Sequence, residues 1–252
     1  PVAAMFSTVP FGMNAQEMNG WLQYGGGMAL WREAYAPFGL IPLAAGNSGV
    51  QMAGWFNKEI NSIADLKGLK MRIPGLGGEV LQAAGGVPVA LPAGEIFTSL
   101  QTGVIDATEW VGPYNDLALG LHTVAKYYYY PGWHEPGPTM EMIVNQRAWE
   151  SLPEDLKRML ESAARVANDD MLAEFTVRNT TALDTLVREH GVELRPLPDD
   201  VLAELKRLSG PILEASAQKD DLSRRVHASY MDFLEKVKAY HAVSEQAYIN
   251  AR

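Results

Sequence analysis

The sequence predicts an α/β protein, and three observations support this class. Short apolar or alternating segments alternate with helical segments between residues 59 and 103, a pattern typical of parallel strands connected by helices. From Pro153 onward the pattern is mainly helical. The length of 252 residues is enough for one large domain or for two lobes, each with its own core.

Composition excludes several classes of protein. The hydrophobic content of 47% and charged content of 20% describe an ordinary globular chain. No stretch approaches the roughly 18 consecutive apolar residues of a membrane span. The formal net charge of −9, without any run of Lys or Arg, disfavours a nucleic-acid partner. The lack of cysteine excludes disulfides, thiol catalysis and cysteine-ligated zinc, and is compatible with an oxidising compartment.

The first elements are predicted from helical spacing and capping residues. Residues 15–35 carry apolar side chains at helical spacing with a break at 25–27. Asn14 is predicted to cap this helix, with Glu17 completing a capping box. Residues 39–45 are predicted as a strand, which Pro42 places at a sheet edge or at a crossing between lobes.

The middle of the chain alternates between helix and strand. Ser62 is expected to cap a one-turn helix that Gly68 ends. The segments that follow are predicted as strand 70–73, helix 77–84, strand 87–91, helix 93–103 and the aromatic strand 127–130.

The carboxyl-terminal half is predicted to be helical. Apolar residues recur from Leu156 to Val187, and Gly191 ends the pattern. This length exceeds a typical globular helix, so a break or kink is expected near residues 168–170. A last helix is predicted over residues 222–251.

Two segments combine residue types that suit capture of a small anion. Arg72 ends a predicted strand, and its planar guanidinium can bind a carboxylate in a bidentate manner. Glu109 and Trp110 follow a second predicted strand. By spacing alone, a solvated arginine and a solvated glutamate beside a core tryptophan remain the plainer interpretations. His134 and Glu135 do not form a metalloprotease motif, because no second histidine follows at helical spacing.

Four motifs, taken together and in their order along the chain, favour a binding role for these residues over the plainer interpretations. They are Gly46-Asn47-Ser-Gly-Val-Gln51-Met-Ala-Gly-Trp-Phe56, Asp65-Leu-Lys-Gly-Leu-Lys-Met-Arg72, Gly103-Val-Ile-Asp-Ala-Thr-Glu109-Trp110-Val-Gly-Pro113, and Tyr127-Tyr-Tyr-Tyr-Pro-Gly-Trp-His-Glu135-Pro136. In these motifs the chain resembles the solute-binding proteins of TRAP (tripartite ATP-independent periplasmic) transporters. The branch that it resembles takes 2-oxo or 2-hydroxy monocarboxylates together with a metal ion.

The resemblance implies a set of site residues. Arg72 would clamp the ligand carboxylate. The ligand-binding residues implied are Asn47, Gln51, Arg72, Glu109 and Trp110. The metal ligands implied are Gln51, Glu109, the main-chain carbonyl of Trp110, and Glu135.

A charge argument supports a metal independently. Two glutamates beside a ligand carboxylate would repel it, and one arginine does not compensate, so the site needs a cation or protonated carboxyls. Ligands that are all oxygen suit a hard cation such as Ca²⁺ or Na⁺.

The resemblance also implies an architecture and a cellular role. The expected fold is a two-lobed periplasmic-binding-protein-like fold with crossing strands, a long connecting helix and a helical carboxyl terminus. Lobe I would comprise residues 1–47 and 137–175, and lobe II residues 48–136 and 176–252. Because members of the family usually begin with roughly 80 further residues, lobe I is expected to be incomplete at its amino terminus. The protein would bind in the periplasm, without catalysis, and deliver an organic acid to permease subunits.

A homodimer through the terminal helix is a further expectation. The apolar seam of residues 222–243 runs at three- and four-residue spacing, more than a helix on the surface of one lobe needs, although packing on its own lobe is the plain alternative. The resemblance favours the dimer, because some members of this branch exchange the helix between subunits. Tyr230, Phe233 and Tyr240 would then be buried only in the assembled form. Three alternatives stay open: another organic acid such as a dicarboxylate or sugar acid, a metal-dependent enzyme that uses Glu109 and Glu135 as acid and base, and a sensor module.

Overall fold

A computed structural model describes residues 2–252, and it confirms the α/β class. The described residues form eleven α-helices, which are α1 Ala4–Ser7, α2 Ala15–Tyr24, α3 Gly27–Tyr35, α4 Gly75–Ala83, α5 Ala93–Gln101, α6 Pro113–Ala118, α7 Gln146–Glu150, α8 Glu154–Arg188, α9 Asp199–Ala217, α10 Asp221–Val243 and α11 Glu245–Ala251. They also form eight strands, which are β1 Leu40–Asn47, β2 Gly54–Phe56, β3 Lys70–Arg72, β4 Val87–Val89, β5 Ala107–Thr108, β6 Tyr127–Tyr130, β7 Thr139–Asn145 and β8 Glu193–Pro196. No helix of residues 2–252 is long and apolar enough to cross a membrane.

The strands form two sheets of different size. Strands β1 and β7 pair antiparallel as a two-stranded sheet, so Pro42 lies on an edge strand as predicted. The other six strands have the order β4-β3-β5-β2-β6-β8. Strand β3 is parallel to β4 and β5, whereas β2 is antiparallel to its neighbours β5 and β6. The parallel pairs therefore confirm the expected α/β topology, with one reversed strand inside it.

The six-stranded sheet is covered on both faces because side chains along a strand alternate in direction. On β6, Tyr127 and Tyr129 belong to a core cluster with helix α9, whereas Tyr128 belongs to the cluster on the opposite face. Tyr128 stacks there on Trp55 of β2, with ring centroids 4.0 Å apart. This double burial explains why the tyrosine run has only one well-exposed member, Tyr130.

Local capping signals read from the sequence are present in the structure. The Asn14 side chain accepts a hydrogen bond from the Glu17 amide, and the Glu17 carboxylate accepts one from the Asn14 amide. Ser62 and Asp65 form a second capping box, at the start of a 3₁₀ turn over Ile63–Leu66. Gly68 has φ of 71°, a backbone conformation that glycine adopts at little cost.

Helix α8 is continuous over 35 residues, so the predicted break near residues 168–170 is wrong. Asn168 is buried rather than helix-ending, and its amide donates to Asn19 Oδ1 at 2.9 Å. Asp169 and Asp170 are exposed on the outer side. The helix also contacts both β1 and α6. This tertiary packing stabilises a continuous helix that is longer than the sequence pattern predicted.

The terminal helix differs from its prediction in two respects. Helix α10 ends at Val243 and a separate helix α11 begins at Glu245, so the predicted single helix to residue 251 is wrong. Tyr230 is fully buried within its own chain, where its hydroxyl accepts a hydrogen bond from the Met13 amide at 2.8 Å. Phe233 packs against the same cluster. The expectation that Tyr230 is buried only in a dimer is therefore wrong, because α10 covers helices α1–α3. Phe233 is partly buried and Tyr240 is 62% exposed, so their burial in a dimer stays a prediction.

Helix α9 and strand β8 were not predicted. Strand β8 adds a parallel edge to β6, and α9 packs Val201 and Leu205 under the sheet. The division into two lobes stays a prediction. Residues 213–234 pack in one cluster with residues 5–44, which the expected division places in the other lobe.

A candidate anion and cation site

The candidate site begins where two parallel strands end side by side. Arg72 is the last residue of β3, and it lies in register with Thr108, the last residue of β5. The Glu109 amide then donates to the Arg72 carbonyl at 3.1 Å, which holds the next residue against the strand end. The carboxyl ends of parallel strands are the usual place for ligand sites in α/β proteins.

This register brings the Arg72 and Glu109 side chains into an ion pair. Arg72 Nη1 donates to Glu109 Oε1 and lies 3.4 Å from the Glu109 carbonyl oxygen. The Glu109 side chain is only 2% exposed and that of Arg72 15%. The guanidinium also lies 5.4 Å from the centroid of the Trp110 ring, within the range of a cation–π interaction. The structure thus brings together three of the predicted residues.

Gln51 and Glu135 form a second polar pair among the predicted site residues. The Gln51 amide nitrogen Nε2 donates to Glu135 Oε2 at 2.7 Å, and the Gln51 main-chain N–H donates to the Glu135 carbonyl at 3.2 Å. Gly132 donates to the Gln51 carbonyl at 2.8 Å, and a Cβ at Gly132 would lie 2.2 Å from that oxygen. Glycine at 132 therefore allows the two segments to approach each other.

Burial raises the pKa of Glu135. The Glu109 carboxylate adds to this rise, whereas His134, Arg72 and the Gln51 hydrogen bond oppose it. Because burial is the main cause, the charged form of the Glu135 carboxyl is less stable in this position than it would be in water.

His134 connects the two halves of the site. Its Nε2 lies 3.4 Å from Glu109 Oε2, and its side chain is 2% exposed. Neither ring nitrogen has a hydrogen-bond partner within residues 2–252. His134 and Glu135 also line a cavity of about 190 Å³, together with the start of α4 and residues 4–10. Sequence reasoning had only excluded a metalloprotease role for this histidine, and its proximity to Glu109 was missed.

The donor set fits a hard cation. In the part of the chain that the structure describes, no three His, Cys, Asp or Glu side chains are arranged to hold a metal. The predicted set does not depend on such a group, since it combines two carboxylates with one amide oxygen and one carbonyl. Gln51 Oε1 is buried without a donor, and the Trp110 carbonyl accepts no hydrogen bond from residues 2–252. Two free acceptor oxygens beside two carboxylates match the ligands that Ca²⁺ and Na⁺ prefer.

Asn47 is fully buried at the end of β1, and protein groups engage both ends of its amide. Its Nδ2 donates to the Gly137 carbonyl at 3.1 Å, and its Oδ1 accepts from the Gly49 amide at 2.9 Å. These bonds fix the turn that leads to Gln51. Direct ligand contact by Asn47 stays a prediction.

Asp116 is a buried acid that the sequence interpretation missed. It lies in helix α6, is fully buried, and accepts hydrogen bonds from two side chains and two main-chain amides. Burial raises its pKa to about 6, although the hydrogen bonds oppose the shift. A single Asp in a loop-to-helix motif carries no distinctive spacing, so only the folded arrangement reveals it.

Known proteins of similar sequence and structure include carboxylate-binding proteins. The chain is 44% identical over 250 residues to the monocarboxylate 2-oxoacid-binding periplasmic protein all3028 of Nostoc sp., an alignment that covers 99% of this chain and 68% of that protein. A TRAP periplasmic solute-binding protein from Colwellia psychrerythraea, solved with bound calcium and pyruvate, has a TM-score of 0.95 and 42% identity over 99% of this chain and 76% of its own. A TRAP transporter solute-binding protein from Bordetella bronchiseptica has a TM-score of 0.95 and 38% identity over 99% of this chain and 74% of its own. It was solved as a mixed-occupancy dimer with calcium and picolinate in one site.

The sequence profile of the family described as DctP, bacterial extracellular solute-binding protein, family 7, matches residues 1–220. The match spans most of the chain, and the order of motifs, the paired strand ends and the oxygen-rich site agree with it. The chain belongs to this family, and it is a solute-binding protein of the TRAP type.

Proposed function

We propose that this protein captures a small 2-oxo or 2-hydroxy monocarboxylate, similar to pyruvate or lactate, as a complex bridged by Ca²⁺ or Na⁺. It then delivers the acid to the membrane subunits of a TRAP transporter. The observation that carries the proposal is the distance of 3.4 Å between His134 Nε2 and Glu109 Oε2, because it brings the Arg72–Glu109 pair next to the segment that holds the Gln51–Glu135 pair. The named ligands of the Nostoc and Colwellia proteins support the same class of acid.

Each residue has a distinct role in this proposal. Arg72 binds the ligand carboxylate with its guanidinium fork. Glu109, Glu135, Gln51 and the Trp110 carbonyl hold the cation. Asn47 orients the turn before Gln51 and is the fifth proposed ligand-binding residue together with Gln51, Arg72, Glu109 and Trp110.

A charge balance favours a cation with this ligand. The ligand carboxylate, Glu109 and Glu135 carry three negative charges, and Arg72 carries one positive charge. A divalent cation makes the sum zero, which removes the large cost of burying net charge. With Na⁺, one negative charge is left, and the raised pKa of Glu135 indicates where a proton would neutralise it.

The ligand class follows from chelation. A 2-oxo or 2-hydroxy acid presents a carboxylate oxygen and a neighbouring oxygen to one ion, whereas acetate and propionate present the carboxylate alone. The second oxygen adds a bond to the cation without a further loss of translational freedom, so chelating acids should bind more tightly.

Isothermal titration calorimetry tests the proposal. Pyruvate should bind the Ca²⁺-loaded protein tightly and the EDTA-treated protein weakly, with propionate as the matched non-chelating control. A dicarboxylate and a sugar acid complete the panel of competitors. Equal pyruvate affinity with and without the cation would contradict the bridged complex. Tighter binding of the dicarboxylate or the sugar acid would show that the ligand belongs to that class instead.

The protein acts in this proposal by binding alone. Glu109 and Glu135 could serve as an acid and a base in an enzyme, so turnover must be tested directly. Proton NMR of pyruvate or lactate incubated with Ca²⁺-loaded protein should show no new resonance. Appearance of a product at a rate proportional to protein concentration would favour the enzyme instead.

We further propose that the protein works in the periplasm as two lobes, residues 1–47 with 137–175 and residues 48–136 with 176–252, around the ligand.

Dimerisation is proposed through the terminal segment only. This segment exposes large apolar side chains, which are Tyr240 (62%), Val243 (77%), Tyr248 (67%) and Ile249 (49%). The Bordetella protein was solved as a dimer, which supports dimer formation but does not identify the segment that forms the interface. Light scattering at micromolar concentration should give a dimer mass, and a monomer mass would end the proposal.

A further inference from the structure

The loop after β5 is held from behind by Asp116. Asp116 Oδ1 accepts hydrogen bonds from the Val111 amide at 3.2 Å and the Gly112 amide at 3.1 Å. Its Oδ2 accepts from Trp55 Nε1 at 2.9 Å and from the Tyr128 hydroxyl at 2.8 Å. The carboxylate is fully buried, so water does not compete for these bonds. One oxygen holds the loop and the other is anchored to the sheet.

The bond to Val111 fixes the direction of the Trp110 carbonyl. The Trp110 C=O and the Val111 N–H belong to one planar peptide unit. The peptide bond between Trp110 and Val111 is trans, so its C=O and N–H groups point in opposite directions. Because the N–H points to Asp116, the carbonyl oxygen points away from it. That oxygen accepts no hydrogen bond from residues 2–252.

Asp116 also changes the strength of that carbonyl as a ligand. A carboxylate that accepts a hydrogen bond from an amide N–H polarises the whole peptide unit and increases the negative charge on its oxygen. Groups behind a metal ligand commonly act in this way, and their loss costs about 10- to 100-fold in metal affinity. A hard cation gains directly from a more negative carbonyl oxygen.

We propose that Asp116 is a positioning residue for the cation site, because its carboxylate orients and polarises the Trp110 carbonyl through the Val111 amide. The inference rests on the proposed function, since it takes the Trp110 carbonyl as a cation ligand. Asp116 is not among the residues that the four motifs identify as ligands of the acid or of the cation. The proposed role also accounts for a buried charge that would otherwise only reduce stability.

A pair of variants separates positioning from general support of the fold. Asp116→Asn removes the charge and puts an amide N–H₂ against the Trp55 and Tyr128 donors. Tyr128→Phe removes one donor from Oδ2 and leaves both loop bonds to Oδ1 unchanged. Calorimetric titration with CaCl₂ alone should show a fall in affinity of about 10- to 100-fold for Asp116→Asn. Tyr128→Phe should keep the affinity within about twofold although it lowers the melting temperature.

The outcomes are separable. A wild-type chain that binds no Ca²⁺ overturns the cation part of the proposed function together with this inference. A wild-type chain that binds Ca²⁺, with a folded Asp116→Asn variant of equal affinity, overturns this inference alone. Equal losses of affinity in the two variants also overturn it, since they would show a structural role only.

One measurement on the unaltered protein remains decisive if Asp116→Asn does not fold. Trp110-Val111 is the only Trp-Val pair in the sequence, so ¹³C-carbonyl tryptophan with ¹⁵N-valine gives a single HNCO cross-peak. The Val111 amide proton should resonate at low field, as in a charge-assisted hydrogen bond, and saturating Ca²⁺ should shift the Trp110 carbonyl. An amide proton at an ordinary position, or a carbonyl that Ca²⁺ does not shift, overturns the inference.

Discussion

Two buried polar clusters lie on either side of the loop 109–112, and they differ in how completely their hydrogen bonds are made. Around Asp116, four donors converge on two carboxylate oxygens. Around Glu109, both ring nitrogens of His134 and the oxygen Oε1 of Gln51 have no partner within residues 2–252. A buried polar atom without a partner costs about 1–3 kcal/mol. A fold tolerates that cost most readily where a ligand recovers it, so the difference supports the proposal that the incomplete cluster binds the ligand and the complete cluster supports it.

The comparison predicts that the central ion pair matters most to both stability and binding. Glu109→Gln removes the buried carboxylate that pairs with the partly buried Arg72, and this should destabilise the protein by about 3 kcal/mol. It should also abolish cation-dependent pyruvate binding. Urea denaturation and calorimetry measure the two effects. Glu174→Gln is the control, because its pair with Arg178 lies on the exposed surface of α8 and should contribute little. Similar losses in both variants would contradict the assigned importance of the buried pair.

The complete cluster should produce a pH dependence of stability. The folded pKa of Asp116 is about 6 against an ordinary value of 3.8, so the folded state binds more protons between these values. Its contribution is therefore greatest below pH 4, is lost progressively as the pH rises from about 4 to about 6, and changes little at higher pH, with a total loss of about 3 kcal/mol.

Urea denaturation of wild type and Asp116→Asn at pH 4, 5, 6 and 7 isolates this contribution. The difference between the two proteins should shift by about 3 kcal/mol in favour of the variant as the pH rises. A constant difference across this range would show that Asp116 keeps the same charge in the folded and unfolded states.

Arg72→Lys tests the anion half of the incomplete cluster. Lysine keeps the charge but loses the planar fork, so pyruvate affinity should fall by about 1–3 kcal/mol. Calcium affinity without the acid should change less, because Arg72 is not a cation ligand. Unchanged pyruvate affinity in calorimetry would remove Arg72 from the ligand carboxylate.

Gln51→Met should have the smallest effect on stability. The variant loses the hydrogen bond to Glu135, but it also removes the unpartnered oxygen Oε1. These changes offset each other, so the free energy of unfolding should change by less than about 1 kcal/mol. Calcium affinity should fall clearly. A large loss of stability with intact calcium binding would place Gln51 in the support rather than in the site.

Local features of the fold were predictable because short-range chemistry determines them. Asn14 and Glu17 form their capping box within four consecutive residues, and β3 ends within one residue of the strand predicted over 70–73. The continuous α8 was not predictable, because Asn168 favours a helix end by propensity and is overruled by its bond to Asn19. Asn168 and Asn19 are separated by about 150 positions of sequence, so a local sequence pattern contains no information about their contact.

The same limit applies to the site. Arg72, Glu109, Gln51 and Glu135 were named from their motifs, and the structure brings their side chains into two adjoining pairs. His134 and Asp116 were missed because their roles depend on packing. His134 reaches Glu109 only through the fold, and Asp116 acts from the next helix. Burial, rather than residue type, distinguishes Asp116 from the other aspartates of the chain.

Helix α8 can work as a mechanical lever. Ala164 packs with Leu43 of the small sheet, whereas Asn179, fifteen positions later, accepts a hydrogen bond from the Tyr114 amide at 3.0 Å. With a rise of 1.5 Å per residue these points are roughly 22 Å apart, so a tilt of about 5° at Ala164 moves the start of α6 by about 2 Å. A tilt of α8 would therefore displace the segment that follows Trp110 without any relay of side chains. Because the chain has no cysteine, thiols can be introduced selectively near Leu43 in β1 and near Tyr114 in α6. Spin labels on these thiols would measure the distance between the two elements that α8 connects.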